Sequence, residues 1–340
     1  MAKYTIKDIA HYCNVSISTV SRAINNDPTI NKETRDRILD VVEKFNYVPN
    51  NSARNLKMSE SNTVALLVKG LHNPFFQGMF DLFENGLKEK GYDFFLYTVL
   101  EDQNEFEAGL QIAKEKRLKG VIFLGGKLEK SEYTKELSVP FVLCSVPVRA
   151  GAGKGLPIVS IDDEKESFRV VDYLIKKGHK RIAIITGKHR DMAVGSIRLD
   201  GYRKAFAHNG LPVDEDLIRY MRDDLPEYSE ENGYMTMKDL IDDGCDFTAV
   251  FVISDRTAIG AYKAIYDAGK TIPGDYSVIG FDGIEVTRYL YPALTTMVQP
   301  VETMVSSSID LLMRQIGGED IREKELYEAT LIERDSVREL

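Results

Sequence analysis

A chain of 340 residues, 43% apolar and 29% charged and without tryptophan, is too long for one small core and suits two or three domains; this composition excludes disordered, collagen-like and coiled-coil chains. The net charge of −9 is unevenly placed: residues 1–60 carry nine Lys/Arg against seven Asp/Glu, and the remainder carry 35 against 46. Binding to phosphates is therefore electrostatically favourable only in the N-terminal arm. Three well-separated cysteines (Cys13, Cys144, Cys245) fit neither a disulfide framework nor a zinc site. The first residues lack the apolar run of a leader, and no stretch approaches the roughly 20 apolar residues of a membrane span. A cytoplasmic protein without a membrane partner is expected.

The arm opens with Thr5-Ile6-Lys7-Asp8, where Thr5 can cap a helix and Asp8 lies near the positive end of its dipole. Ile6, Ile9 and Ala10 give this helix one apolar face, and Asn14 can take the left-handed conformation of a tight turn. Ser16 is a good N-cap for a second helix, with Val20, Ala23 and Ile24 on one side and Ile17, Ser18, Ser21 and Arg22 facing elsewhere. Two short helices across such a turn make a helix-turn-helix unit, whose second helix enters the major groove. Ile17 and Ser18 would meet base edges, and Arg22 can bond guanine O6 and N7 together. Ser16, Thr19, Ser21 and Asn25 suit phosphates, and Thr5 joins the DNA-binding set. Spacing alone is equally compatible with a helical hairpin whose polar face is merely solvated. A third helix, about 31–46, places Ile38, Val41, Val42 and Phe45 over the hairpin and stops before Pro49. Residues 50–57 can form one or two turns, too short a helix to persist without a partner.

The ordered motifs Thr-Ile-Lys-Asp-Ile-Ala (5–10), Val-Ser-Ile-Ser-Thr-Val-Ser-Arg-Ala-Ile-Asn (15–25), Tyr-Val-Pro-Asn (47–50) and Ala-Arg-Asn-Leu (53–56) resemble the lactose/galactose repressor family of bacterial transcription regulators. The resemblance implies a helix-turn-helix domain over 1–49 and a hinge helix and linker over 50–61. The hinge would order only on operator DNA, in a homodimer. Asn50 and Ala53 would belong to the DNA-binding hinge, and Leu56 would wedge into the minor groove and kink the duplex. The plain alternative for Leu56 is a linker residue covering the core.

From Thr63 onward, apolar runs at 64–68, 94–99, 121–124, 141–143, 158–161, 182–185, 250–253 and 278–281 alternate with amphipathic segments such as Phe76, Phe80, Phe83, Leu87. Strand–helix alternation signals α/β architecture with parallel sheets flanked by helices, and about eight strands suggest two sheets. The family implies a two-lobed core like periplasmic sugar-binding proteins, crossed three times by the chain. Lobe one would take about 62–161 and 292–322, and lobe two about 162–291 and 323–340. In open α/β sheets ligands bind beyond the carboxyl ends of strands. The residues following strands there include Asn73, Phe75 and Phe76; Arg198; Ser254 and Asp255; and Asp282. Fork-shaped polar groups with aromatic faces suit a polyhydroxylated ligand.

The resemblance places Asn73, Phe75, Phe76, Ser145, Arg198, Tyr228, Ser254 and Asp282 in the effector pocket. Arg198 and Asp282 would grip the ligand and Tyr228 would stack on it. Ser145 stands where the family often has Asp, Ser254 where it often has Asn, and Met192 and Val194 make the loop before Arg198 less polar, which leaves the particular sugar open. Asp255 is expected to cap the following helix, Asp162 to be structural, and Phe75 and Phe76 to divide between core and cleft. A lone Arg such as Arg198 is otherwise commonly a surface ion pair.

Gly151-Ala-Gly-Lys-Gly155 fails the phosphate-loop pattern, because Gly155 follows the Lys and the earlier glycine position is Val148. The five histidines lack ligand spacing, and no nucleophile motif appears, so neither metal, cofactor nor enzyme activity is expected. The expectation is a ligand-responsive, sequence-specific DNA-binding repressor sensing a sugar or related metabolite, dimeric in the absence of an apolar heptad tail. The alternatives are a small-molecule binding protein acting through a protein coregulator, and a doubly wound enzyme.

Overall fold

The computed structural model describes residues 5–24, 27, 29–45, 61–100, 102–128, 131–149, 151–189 and 194–340, with no side chains at 131 and 132. Its contacts fall into two units, Met1–Ser61 and Asn62–Leu340.

The first unit holds α1 (Ile6–Tyr12), α2 (Ile17–Ile24) and α3 (Lys32–Lys44). The Asp8 carboxylate accepts from both the N–H and the hydroxyl of Thr5, each at 2.7 Å, and this tie starts α1. Asn14, at φ 50°, makes the left-handed turn that ends it. Ser16 Oγ accepts from Thr19 N–H at 3.1 Å to open α2, and Asn31 accepts from Thr34 N–H at 2.8 Å to open α3. Ile9, Ala10, Cys13, Val20, Ala23, Ile38 and Val41 form the buried centre of the three helices. Arg37 and Lys44 reach back over the first helix, to the Cys13 carbonyl and the Tyr12 ring.

In the second unit two six-stranded sheets carry helices on their faces. The strands are β1 (Thr63–Lys69), β2 (Asp93–Val99), β3 (Gly120–Leu124), β4 (Phe141–Cys144), β5 (Ile158–Ile161), β6 (Ile182–Lys188), β7 (Ile218–Met221), β8 (Ala249–Val252), β9 (Ser277–Asp282), β10 (Thr295–Val298), β11 (Lys324–Tyr327) and β12 (Thr330–Ile332). The first sheet runs β11-β5-β4-β3-β1-β2, all parallel. The second runs β12-β10-β9-β8-β6-β7, with only β12 antiparallel. The middle strands are buried along their whole length, as parallel strands covered on both faces must be. The helices are α4 (Pro74–Glu89), α5 (Glu105–Lys116), α6 (Asp163–Lys176), α7 (Val194–His208), α8 (Glu230–Asp242), α9 (Asp255–Asp267) and α10 (Val301–Ile316).

All eight apolar runs are strands. Four further strands complete the sheets, of which β7, β10 and β11 are short, polar-studded segments that periodicity does not mark. They correct the lobe boundaries. Residues 295–298 pair with β9 in the second sheet, not the first, and residues 324–327 pair with β5 in the first sheet, not the second. The chain therefore crosses between sheets after Ile161, after Val298 and after Tyr327. Between the last two crossings, α10 packs on α4 and on β3–β5 of the first sheet.

Candidate functional site

On α2 the two faces are chemically distinct. Val20 and Ala23 are buried, whereas Ile17 is 44% exposed beside the exposed Ser18 and Arg22. The Ser16 hydroxyl lies 2.7 Å from that of Ser18 and 2.8 Å from that of Thr19, so three hydroxyls gather at the helix start. Arg22 donates to the Thr29 hydroxyl at 3.5 Å. An apolar side chain, hydroxyls and a guanidinium thus stand on one accessible surface. Thr5 is exposed, and its hydroxyl is engaged by Asp8; Ser21 is half-buried. Asn25, Asn50, Ala53, Leu56 and Met192 lie outside the described residues.

In the larger unit a cleft of about 610 Å³ opens between the carboxyl ends of the two sheets. Asn73, Phe75, Phe76, Ser145, Arg198, Tyr228, Ser254 and Asp282 all line it. Asn73 caps α4 by accepting from Phe75 N–H at 3.1 Å. Phe75 is 5% exposed and belongs to the core, while Phe76 is half-buried against it, so both rings touch the cleft at different depths. Ser145, Tyr228 and Asp282 have φ of 53°, 53° and 116°. They are three of the five non-glycine residues with positive φ among those described. Such backbone strain gathers at functional sites.

Arg198 is no surface ion pair. It is 5% exposed, donates from Nε to Asp163 at 2.9 Å and to the Ile253 carbonyl, and lies 3.6 Å from Asp282. Its guanidinium covers the Phe281 ring at 3.6 Å. Asp282 also accepts from the Gln299 amide at 2.9 Å.

Asp255 does not cap α9 as expected, because the helix begins at Asp255 itself. Its carboxylate instead accepts from Gly283 N–H, Ile284 N–H and the Thr296 hydroxyl at 2.7, 2.9 and 2.6 Å, pinning the turn after β9 and so the position of Asp282. Asp162 is structural, accepting from Lys165 N–H at 3.1 Å.

Burial pushes Asp255 up to about 8, helped by the neighbouring Asp282 charge and opposed by its hydrogen bonds. Burial likewise lifts Asp282 to about 6, against the pull of Arg198 and Gln299, and raises Asp163 despite Arg198. A folded carboxyl with a raised pKa holds a proton that the unfolded chain releases. Its stabilising contribution is complete below the ordinary value of 3.8 and is lost as pH rises through about 6 and then about 8. Urea midpoints are therefore expected to fall from about pH 5 to about pH 8. Asp255→Asn, which stays neutral, should flatten that slope; an unchanged slope in the variant would remove Asp255 as its source.

Several cleft residues escaped the sequence reading: Asp163, Glu230, Arg256 and Gln299. Asp163 adjoins Asp162 after a recognised strand, so extending the strand-end rule by one residue finds it. Gln299 follows β10, which was not recognised, and Glu230 and Arg256 lie in the first turns of helices. Arg256 bonds Glu230 at 2.9 Å and the His72 carbonyl at 3.0 Å, joining the second lobe to the first. On another side Arg149 pairs with Asp200 and donates to the Ser196 hydroxyl at 3.0 Å, again from lobe to lobe.

A family model described as bacterial regulatory proteins of the lacI family matches residues 5–50, and one for a periplasmic binding protein-like domain matches residues 171–337. The chain is 38% identical over 340 residues to the HTH-type transcriptional regulator MalR of Clostridium butyricum, covering 97% of this chain and 98% of that one. It is 31% identical to the ribose operon repressor of Haemophilus influenzae, covering 99% of each. Among solved structures, a complex of the transcriptional regulator CelR with cellobiose is 29% identical, with a TM-score of 0.72 over 98% of this chain and 99% of that one. A Lac repressor dimer bound to operator and an anti-inducer, 22% identical, has a TM-score of 0.76 over 99% and 100% of the two chains, a likeness of fold.

Proposed function

The chain belongs to the lacI family of bacterial regulatory proteins, and from that membership we propose that it is a sugar-responsive repressor, binding operator DNA as a homodimer through α2 and a sugar through the interlobe cleft. The observation that carries the sensor half is the buried Arg198–Asp163–Asp282 group. It sets charged, fork-shaped partners for hydroxyls at the meeting point of two sheets. The DNA half rests on the exposed Ile17–Ser18–Arg22 face opposite a buried one. In this reading Thr5, Ser16, Thr19, Ser21 and Asn25 position the phosphate backbone, and Asn50, Ala53 and Leu56 act in the hinge. The protein works by binding and not by turnover, in the cytoplasm where its DNA is. No helix among the described residues is long and apolar enough to cross a membrane.

Ligand binding would alter the angle between lobes whose edges are tied by Arg256–His72 and Arg149–Asp200. DNA affinity and ligand affinity then change reciprocally. The test is selection of genomic fragments by the full-length protein, followed by anisotropy titration with and without sugars. The expected result is a pseudo-palindromic site with half-sites about one helical turn apart, and a sugar-dependent change in affinity abolished by Asp282→Ala. Binding that no sugar alters would defeat the sensor reading, and absence of an enriched site would defeat the DNA reading.

Arg22→Ala is expected to cost about 1–3 kcal/mol on the selected operator and to relax preference at one base pair per half-site. A loss equal on all sequences, with a reduced salt slope, would assign Arg22 to phosphate instead.

A further inference from the structure

Resting on the reading that the cleft takes a sugar, we propose that its ligand is a neutral glycan of two rings, not a single sugar and not a sugar phosphate. Size is the first argument. The cleft's 610 Å³ corresponds to roughly twenty waters at about 30 Å³ each, of which one hexose ring displaces on the order of six. One ring leaves most of the space wet; two occupy about three fifths of it. Burial of most of a ligand's surface is the usual condition of a specific small-molecule site.

The cleft also has two chemically different ends. At the closed end Ser160, Asp163, Arg198, Ser254, Asp282 and Gln299 are all 2–6% exposed. This polar group is suited to a ring whose hydroxyls are fully withdrawn from water. At the open end Asn73, Phe76, Tyr228, Glu230 and Arg256 are half-buried, so they can serve a second ring that remains partly wetted. Phe76 lies there with its ring edge where Gly125, at φ 70°, carries no side chain; any Cβ at that position would meet the ring at 2.7 Å. Tyr228 and Phe76 supply flat faces for sugar C–H surfaces. Arg256 and Glu230, already joined, offer a donor and an acceptor at the same end.

Charge excludes the phosphorylated alternative. The cleft is lined by Lys69, Lys127, Arg198 and Arg256 and by five carboxyl groups; Lys69 pairs with Glu105 at 3.2 Å, Arg198 with Asp163 at 2.8 Å and Arg256 with Glu230 at 2.9 Å. Asp282 is a further carboxyl group at the closed end, 3.6 Å from Arg198. A phosphate monoester, carrying roughly −1.5 to −2, would enter a site lined by five carboxyl groups and four Lys and Arg side chains. To reach the Arg198 guanidinium it would have to break a buried pair. Sugar hydroxyls meet no such obstacle, because they donate to carboxylates and accept from guanidinium groups.

The experiment is titration calorimetry of the full-length protein with maltose, cellobiose, trehalose and sucrose, against glucose, ribose, glucose 6-phosphate and adenosine. At the ordinary efficiency per non-hydrogen atom of drug-sized ligands, a second ring is worth about a hundredfold. At least one disaccharide should therefore bind about a hundred times more tightly than glucose, with glucose 6-phosphate weaker still. Arg256→Ala should shrink the disaccharide-to-glucose ratio about tenfold, and Arg198→Ala should remove binding of both. Glucose or ribose binding as tightly as every disaccharide, or glucose 6-phosphate binding more tightly than glucose, overturns the proposal and leaves the sugar reading standing. Binding of adenosine with no carbohydrate response overturns both. Silence from all four disaccharides also overturns the proposal.

Discussion

Arg198→Ala is expected to eliminate ligand binding and to destabilise the sensor unit by about 3–5 kcal/mol, the usual cost of leaving a buried charge without its partner. The guanidinium is 5% exposed and touches Asp163, Asp282, the Ile253 carbonyl and the Phe281 ring, so its loss uncovers two buried carboxylates at once. Part of the cost is relieved by protonation, since Asp163 and Asp282 already have raised values. The deficit should therefore be larger at about pH 8 than at about pH 5. Adding Asp163→Asn to Arg198→Ala removes one orphaned charge and should recover a good part of the stability without restoring ligand binding. Urea unfolding of the two variants separates the roles. A single variant with an unchanged urea midpoint would mean that solvent, not Arg198, satisfies these carboxylates. Arg198→Lys is not a mild change here, because an ammonium cannot serve Asp163 and the Ile253 carbonyl with one planar fork.

Gly260→Ala is expected to destabilise the sensor unit by about 3 kcal/mol, at or above the upper end of the usual range for overpacking. Helices α8 and α9 pack backbone to backbone. A methyl on Gly260 would overlap the Glu230 carbonyl oxygen and sit 2.7 Å from Tyr234 N, and one on Gly233 would overlap the Thr257 carbonyl oxygen. Neither obstacle is a side chain that can swing away, so the helices must separate. Alanine's better helix propensity returns only about 1 kcal/mol. Glu230 begins α8 and Tyr228 lies two residues before it, next to the N-cap Ser229, so the same substitution should weaken ligand binding as well as stability. DNA binding by the first unit, which has its own core, should survive in the folded fraction. A variant as stable as the parent would show that the two helices can part at little cost.

Much of this molecule could be read from local patterns. The caps of α1, α2 and α3, the turn at Asn14 and the eight apolar strands depend on residues a few positions apart. The strand-end rule reached Asn73, Arg198, Ser254 and Asp282 for the same reason. Ser145 and Tyr228 came instead from likeness to known motifs, as did the hinge role given to Leu56.

Long-range packing decided the rest. A four-residue segment such as β10 or β11 carries too little apolar pattern to announce itself. Its sheet is chosen by a partner far away in the chain, Lys324 opposite Ile158 in one case. Asp255 looked like a helix cap because it follows a strand and precedes a helix. Only the approach of Gly283, Ile284 and Thr296 made it the anchor of the turn after β9. Arg198 likewise could have been an exposed cation, until folding brought Asp163, Ile253 and Asp282 around it from three other elements. By itself the sequence determined the eight apolar strands, the helix-turn-helix arm and the family. The tertiary structure alone decided which charges meet in the cleft, because those contacts join residues 35 to 84 positions apart whose pairing no local rule constrains.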